Sequence, residues 1–84
     1  MATVKLTPEA DEQMARLPGK TRERVAKLLI RLESWPIISG TKALSGNLAG
    51  WHRARVGDYR IRFRVADDTV IVDKIGHRKD VYEE

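Results

Sequence analysis

The sequence predicts an α+β domain in which helices cover one face of an antiparallel sheet. The first half of the chain holds two stretches with the i, i+3, i+4 apolar spacing of amphipathic helices. The second half alternates apolar and polar residues, as half-buried strands do. Helices and strands therefore segregate along the chain, which is typical of the α+β class. With 84 residues, 42% of them hydrophobic, the chain is sized for one folded domain over residues 1–84.

The first elements are predicted to be a short strand and an antiparallel helical hairpin. Thr3–Leu6 alternates polar and apolar side chains and is the expected first strand. Thr7-Pro8 then forms a helix start, with Thr as the N-cap and Pro in the first turn. This helix ends at Pro18-Gly19, so the next helix follows almost at once and folds back. The second helix is predicted from about Lys20 to Ser34, before Trp35-Pro36 breaks it.

The second half is predicted to be a three-stranded antiparallel meander. Residues 36–50 show no clear period and are expected to form a loop. Two strands over Trp51–Val65 are joined by a tight turn at Val56-Gly57-Asp58, where Gly and Asp supply the backbone freedom. A turn at Asp67-Asp68 leads to a β-branched last strand, Val70–Ile75, and residues 76–84 form a tail.

The apolar periods predict one core between the helices and the sheet. A stripe on each helix and one face of the second hairpin strand contribute to it. Trp35 is expected to anchor the end of the second helix there. The other predicted members of the core are Met14, Leu17, Val25, Leu28, Leu29, Leu32, Tyr59, Ile61, Phe63 and Val65.

The hairpin concentrates arginine on the face opposite that core, which is expected to stay open to solvent. Arg60, Arg62 and Arg64 alternate with the apolar residues of the second strand, and Arg53 and Arg55 share one face of the first. Guanidinium groups are always charged and bind phosphate in a bidentate way. The net charge of +4 and the pI of about 9.8 also favour an acidic partner, either nucleic acid or protein. The alternative is that the row is simply a solvated sheet face.

What the sequence lacks narrows the function further. There is no Cys, which excludes disulfides and Cys-ligated metals. A phosphate-binding glycine loop, a Ser-His-Asp set and a His cluster are also missing, so no cofactor or metal is expected. No stretch resembles a secretory leader or a membrane span, and the expected location is the cytoplasm, with no membrane partner.

Three motifs resemble the RelE/ParE superfamily of bacterial toxins from toxin–antitoxin modules. In order along the chain they are K-A-L-S-G (42–46), G-W-H-R-A-R-V-G-D-Y-R-I-R-F-R-V (50–65) and I-G-H-R-K-D-V-Y (75–82). They contain the L-x-G element of Leu44 and Gly46, the basic strand from Arg53 to Arg60, and the terminal motif from Gly76 to Tyr82. The helical hairpin before them fits as well, so the resemblance covers nearly the whole chain. It implies a compact α+β fold and a cognate antitoxin that neutralises the toxin.

The RelE branch of the superfamily implies a metal-independent endoribonuclease that cuts mRNA in the ribosomal A site. The expected partners are then the antitoxin, the ribosome and mRNA, with operator DNA reached only through the antitoxin. That branch places basic residues at the positions of Arg53, Arg55, Arg60 and Arg78 and an aromatic residue at Tyr82, and all five are present. Some relatives carry Lys at the first two positions, and Arg cannot easily act as a base.

The resemblance and the chemistry of RNA cleavage together predict the catalytic residues. Arg53, Arg55 and Arg60 would offset the charge that grows on the phosphate, as fixed positive donors do in many active sites. Arg78 would protonate or bridge the leaving group. Tyr82 would move a proton, which requires surrounding Arg to lower its pKa, or would stack on a base.

The remaining predicted site residues have more ordinary alternatives. His77 is a candidate acid or base, or else a turn residue. Lys42, Arg62 and Arg64 are expected to bind the RNA backbone, and Trp51 either stacks on a base or serves the structure. Two rival functions also stay open. One is inhibition of DNA gyrase, which the ParE branch implies, and the other is an inactive homologue that works only in the antitoxin repressor complex.

Overall fold

Residues 2–81 are described by the computed structural model, in which two helices pack against a five-stranded sheet. This confirms the predicted α+β class. A 3₁₀ turn at Leu32–Ser34 extends the second helix, and a second one at Gly46–Leu48 precedes the hairpin. In chain order the helices and strands are β1 (Thr3–Leu6), α1 (Pro8–Ala15), α2 (Gly19–Arg31), β2 (Thr41–Ala43), β3 (Trp51–Val56), β4 (Tyr59–Ala66) and β5 (Thr69–His77).

The strands lie in the order β1-β5-β4-β3-β2. β3, β4 and β5 form the predicted antiparallel meander, and β1 pairs with β5 in parallel at one edge. The other edge is β2, which pairs antiparallel with β3. The prediction of a loop over residues 36–50 is therefore wrong at Thr41–Ala43, because a three-residue strand is too short to show a period.

Each helix begins where the sequence indicated and packs against a different strand. The Thr7 side chain caps α1 by accepting the N–H of Ala10 at 3.2 Å. α1 lies along β5, where the side-chain oxygen of Gln13 accepts the Ile75 N–H at 2.7 Å. α2 contacts β3 and buries Val25 on that side. Within residues 2–81, no helix is both long and apolar enough to cross a bilayer.

The core lies between the helices and the sheet and confirms the predicted set. Trp35 packs against it as expected, with its ring edge-on to Phe63 at 5.4 Å between centroids. Of the other predicted members, Leu17, Val25, Leu28, Leu32, Ile61 and Phe63 are buried, and Met14, Leu29, Tyr59 and Val65 are partly buried against them. The sheet adds Ala54, Val56, Val70, Val72 and Ile75.

The two tight turns of the meander each need one residue with positive φ. Gly57 supplies it in the β3–β4 turn, at φ +58°, and Asp67 supplies it in the β4–β5 turn, at φ +55°. Glycine has no Cβ to obstruct this conformation, and aspartate tolerates it better than most residues. These turns set the register that aligns the arginine-bearing strands.

Candidate functional site

The pairing of β3 with β4 places arginines directly opposite one another. Arg53 faces Arg62, and Arg55 faces Arg60. The alternate residues of both strands lie in the core, so these side chains are on the sheet face away from the helices. We call Arg53, Arg55, Arg60, Arg62 and Arg64 the arginine face. Like charges directly opposite each other destabilise a strand pair, so this arrangement does not serve stability.

The five side chains of the arginine face differ in exposure. Arg55 and Arg64 are exposed and Arg62 is half-buried, whereas Arg53 is only 8% exposed and Arg60 only 7%. The prediction that the whole row stays open to solvent is therefore wrong for Arg53 and Arg60. A buried guanidinium is held in one geometry, which suits a group that must be aimed at a developing charge.

Two features hold Arg60 close to the sheet. Its Nη1 donates to the carbonyl oxygens of Gly57, at 3.0 Å, and of Tyr59, at 3.1 Å. Arg60 also pairs with Gly76 of β5, and a Cβ at Gly76 would lie 3.2 Å from Val81 Cγ2. Val81 is buried but stands outside the helix-side core. The segment after β5 therefore folds back over the arginine face beside Arg60, and glycine at position 76 makes room for it.

Arg62 has a partner within the sheet. The register between β4 and β5 shifts after Arg62, and the extra β5 residue at this bulge is Asp73. Arg62 Nε and Nη2 donate to the two carboxylate oxygens of Asp73 at 3.0 and 2.6 Å. These bonds raise the pKa of Arg62, and its guanidinium also lies 4.9 Å from the centre of the Trp51 ring. Arg62 thus has fewer donors left for RNA than its exposed neighbour Arg64, which lies 5.9 Å from the same ring.

The structure does not bring His77 together with the arginine face. His77 pairs with Tyr59, and the two rings meet edge to face at 5.7 Å between centroids. Tyr59 packs against the helix-side core, so strand alternation puts His77 on the opposite side of the sheet from Gly76. Its Nδ1 accepts the N–H of Lys79 at 3.2 Å, as a turn residue would. These contacts fit the alternative of a turn residue, and the catalytic role of His77 stays a prediction.

The remaining predicted residues extend the arginine face at its edges. Lys42 of β2 is exposed and pairs with Arg53. Arg78 is exposed at the hairpin tip, where its backbone N–H donates to the carbonyl oxygen of Asp58 at 2.7 Å. Tyr82 lies outside residues 2–81, which the structure describes, so its role stays a prediction. Among those described residues, no cluster of three His, Asp or Glu side chains could hold a metal ion.

Sequence reasoning missed two features of this region. One is Asp73, the only acidic residue within the predicted last strand, which marks the bulge. The other is a cleft of about 280 Å³ between α2 and the β3–β4 turn. Its charged lining consists of Arg55 and three cations from α2, and the helical spacing of those cations, at three and four residues, was visible in the sequence.

Comparison with known proteins agrees with the fold. Residues 4–82 match the family described as ParE toxin of type II toxin-antitoxin system, parDE. The chain is 34% identical to the toxin RelG of Mycobacterium tuberculosis over 83 residues, which cover 95% of this chain and 94% of that protein. It is 29% identical to the toxin RelE3 of Methanocaldococcus jannaschii over 75 residues, covering 86% of this chain and 85% of that protein. The toxin–antitoxin complex RelBE2 of M. tuberculosis contains a similar fold, with a TM-score of 0.80 and 30% identity over 92% of this chain and 98% of that one.

Proposed function

Because the chain belongs to the RelE/ParE superfamily of toxins from type II toxin–antitoxin modules, we propose that it is a metal-independent endoribonuclease that cuts mRNA on the ribosome. One observation carries the proposal: two arginine pairs face each other across β3 and β4. Local rules that a protein breaks without a structural gain tend to mark functional sites. A polyanion laid on this face would relieve the repulsion.

The proposed chemistry is a transesterification within the RNA backbone. The ribose 2′-oxygen attacks the adjacent phosphorus and loses its proton to a base. The bond from phosphorus to the 5′-oxygen breaks, and that oxygen takes up a proton. The products are a 2′,3′-cyclic phosphate and a 5′-hydroxyl. Between these steps negative charge builds on the phosphate, and nearby fixed cations lower the activation barrier by stabilising that charge.

Arg53, Arg55 and Arg60 are the proposed source of that stabilisation. Arg55 and Arg60 are directly opposite residues, which places their Cβ atoms about 4.5–5.5 Å apart, close enough for both side chains to reach one phosphate. Arg78, exposed at the hairpin tip, is proposed to act on the leaving 5′-oxygen. Tyr82 is the proposed proton carrier. Val81, the residue before it, is buried against Gly76 on the arginine face, which supports a role for the tail there.

The cognate antitoxin is the proposed second partner. The similar M. tuberculosis structure is a toxin–antitoxin complex. For this chain we propose an acidic antitoxin segment that covers Arg53, Arg55 and Arg60 or displaces the tail after Gly76. Its association rate should then fall as the salt concentration rises. The proposed site of action is the cytoplasm, where translated mRNA is present.

Inhibition of DNA gyrase is the second candidate, because the matching family is described as ParE toxin. The curated relatives named RelG and RelE3 and the combination of Arg53, Arg55, Arg60 and Arg78 favour the ribonuclease. An inactive homologue that acts only in a repressor complex is the third candidate.

Induction of the chain in cells, followed by mapping of mRNA ends, distinguishes the three candidate functions. Cuts within the codons of translated messages support the ribonuclease, and DNA damage with intact mRNA supports the gyrase inhibitor. If neither effect is seen, the result supports the inactive homologue.

Arg55→Gln tests the site directly, since Arg55 is exposed and its removal leaves the core intact. Loss of one such donor costs about 10²–10³ in rate. Single-turnover cleavage on saturating programmed ribosomes measures this loss separately from binding. Arg16→Gln is the matched control: Arg16 is an exposed arginine at the C-cap of α1, paired with Glu12 at 2.6 Å, and its loss should leave the rate unchanged.

Two further variants complete the test. Arg78→Ala should also slow cleavage, and Tyr82→Phe should slow it if the hydroxyl moves a proton but not if the ring only stacks. Cleavage at the parent rate by both Arg55→Gln and Arg78→Ala would show that this face is not the active site.

A further inference from the structure

Resting on the proposed function, we infer that the RNA strand on the arginine face continues around the hairpin tip into the cleft between α2 and β3–β4. Arg24, Lys27 and Arg31 of α2 and Arg55 of β3 supply the charged part of the lining. Among residues 2–81, no acidic side chain lines this cleft. It is therefore a concave surface of one sign, which attracts and concentrates an anion.

The α2 cations lie on one side of the helix because of their spacing. Lys20, Arg24, Lys27 and Arg31 follow each other at steps of four, three and four residues. At 1.5 Å of rise per residue, Arg24 and Arg31 are about 10 Å apart along the axis. Val25 and Leu28, on the adjoining side of the same helix, are buried in the core, and Leu28 also forms part of the cleft wall. This packing fixes the direction of the row.

The cleft and the arginine face are physically continuous. Arg55 belongs to both, since it pairs with Arg60 on the sheet and also lines the cleft. Between them lies Gly57, where a Cβ would come 3.3 Å from Arg24 Nη1. The guanidinium of Arg24 therefore rests on the turn itself, and a strand leaving Arg60 meets Arg24 next. Glycine at position 57 permits both the positive φ of the turn and this close approach.

The lining favours a phosphate backbone over an acidic protein. Its apolar residues, Leu28 and Val56, are 4% and 8% exposed, so they offer a protein little surface to anchor on. Protein interfaces deplete charged residues at their centre, whereas this centre is cationic. Phosphate contacts from arginine and lysine position a nucleic acid without reading its sequence. The cleft would thus add affinity and direction but no base preference.

The test is the double variant Arg24→Ala/Lys27→Ala. The probe is a fluorescent, single-stranded 2′-O-methyl RNA, which cannot be cut because it lacks the 2′-hydroxyl. Two lost phosphate contacts should lower the slope of log affinity against log salt by about 1.4 and weaken binding about tenfold or more. A trinucleotide probe should bind parent and variant alike, because it is too short to span both surfaces.

The control is Arg16→Ala/Arg22→Ala, which removes the same charge from exposed arginines that do not line the cleft. It should bind the long probe as the parent does. Equal salt slopes for the cleft variant and the parent would overturn the inference and leave the proposed cleavage site standing. So would a variant that binds RNA normally but loses only its association with the antitoxin or with vacant ribosomes. A parent that neither binds nor cuts RNA would overturn both proposals.

Discussion

The two faces of the β3–β4 hairpin follow opposite rules. On the helix side, Ala54, Ile61 and Phe63 are fully buried among apolar neighbours. On the other side, arginines stand opposite arginines, with Arg55 and Arg60 the pair nearest the turn. The first face stabilises the hairpin, whereas the second opposes it. Because strand side chains alternate, one short segment can carry both an apolar face and a charged face. A well-packed core supplies enough stability to tolerate a charged face that serves function rather than folding.

Among these variants, Phe63→Ala should cause the largest loss of stability, because it removes a side chain from the apolar face. Phe63 has no exposed surface and contacts Trp35 and His52. Its truncation leaves a cavity among these rings and should cost about 3–5 kcal/mol in the free energy of unfolding, measured in urea. Arg64→Ala, on the opposite face, should change that free energy by less than about 0.5 kcal/mol. Similar losses for the two variants would erase the contrast between the faces.

The Arg62–Asp73 pair shows that the arginine face can also contribute stability. Asp73→Asn removes the carboxylate from a guanidinium whose side chain is only 14% exposed, and should cost about 1–3 kcal/mol. Asp73→Asn combined with Arg62→Met leaves no unpaired charge and should recover part of this loss. A double variant that loses as much as the sum of its single changes would show that the two groups do not interact.

Arg55→Gln should separate stability from activity. It removes one charge from the Arg55–Arg60 pair, and relief of this repulsion should raise the free energy of unfolding by about 0.2–1 kcal/mol. The same variant is expected to lose cleavage, so the two quantities would move in opposite directions. A destabilisation above about 1 kcal/mol in urea would mean that Arg55 supports the fold after all.

His52 should give the smallest effect, as a shallow pH dependence of stability. Its ring stacks on Phe63 at 5.3 Å, and burial lowers its pKa below the ordinary 6.5. The unfolded chain therefore binds the proton more readily than the fold. Stability should be full above about pH 6.5 and fall as the pH drops from there toward the folded pKa. His52→Phe keeps a ring in place and should flatten that part of the curve in urea titrations; an unchanged slope would exclude His52 as its source.

The sequence predicted the fold well wherever a local pattern was long. The Thr7 cap, the helix stripes and the period-two alternation of β4 each involve neighbours along the chain, and all appear in the structure. β2 was missed because three residues show no period. The pairing of arginines across β3 and β4 could also be predicted, since the turn at Gly57 and the alternation of side chains together determine it.

The burial and the partners of each arginine could not be predicted from the alternation of side chains along the strands. Arg62 is paired because Asp73 stands at a bulge in a different strand, and Arg60 is buried beside a segment that returns over Gly76. His77 directly precedes Arg78 in the sequence, yet its pairing with Tyr59 places it on the sheet face opposite the arginine face. Each outcome depends on how one strand is aligned with another.

By itself, the sequence determined the element order, the apolar face and the segregation of arginine from that face. These follow from side-chain periodicity, which is fixed by the geometry of a single helix or strand. Only the tertiary structure decided that β1 joins β5 in parallel, that α2 lines a basic cleft with Arg55, and which arginines are exposed. Those features join residues far apart along the chain, such as Thr3 and Thr69, and no local preference specifies which distant segments meet.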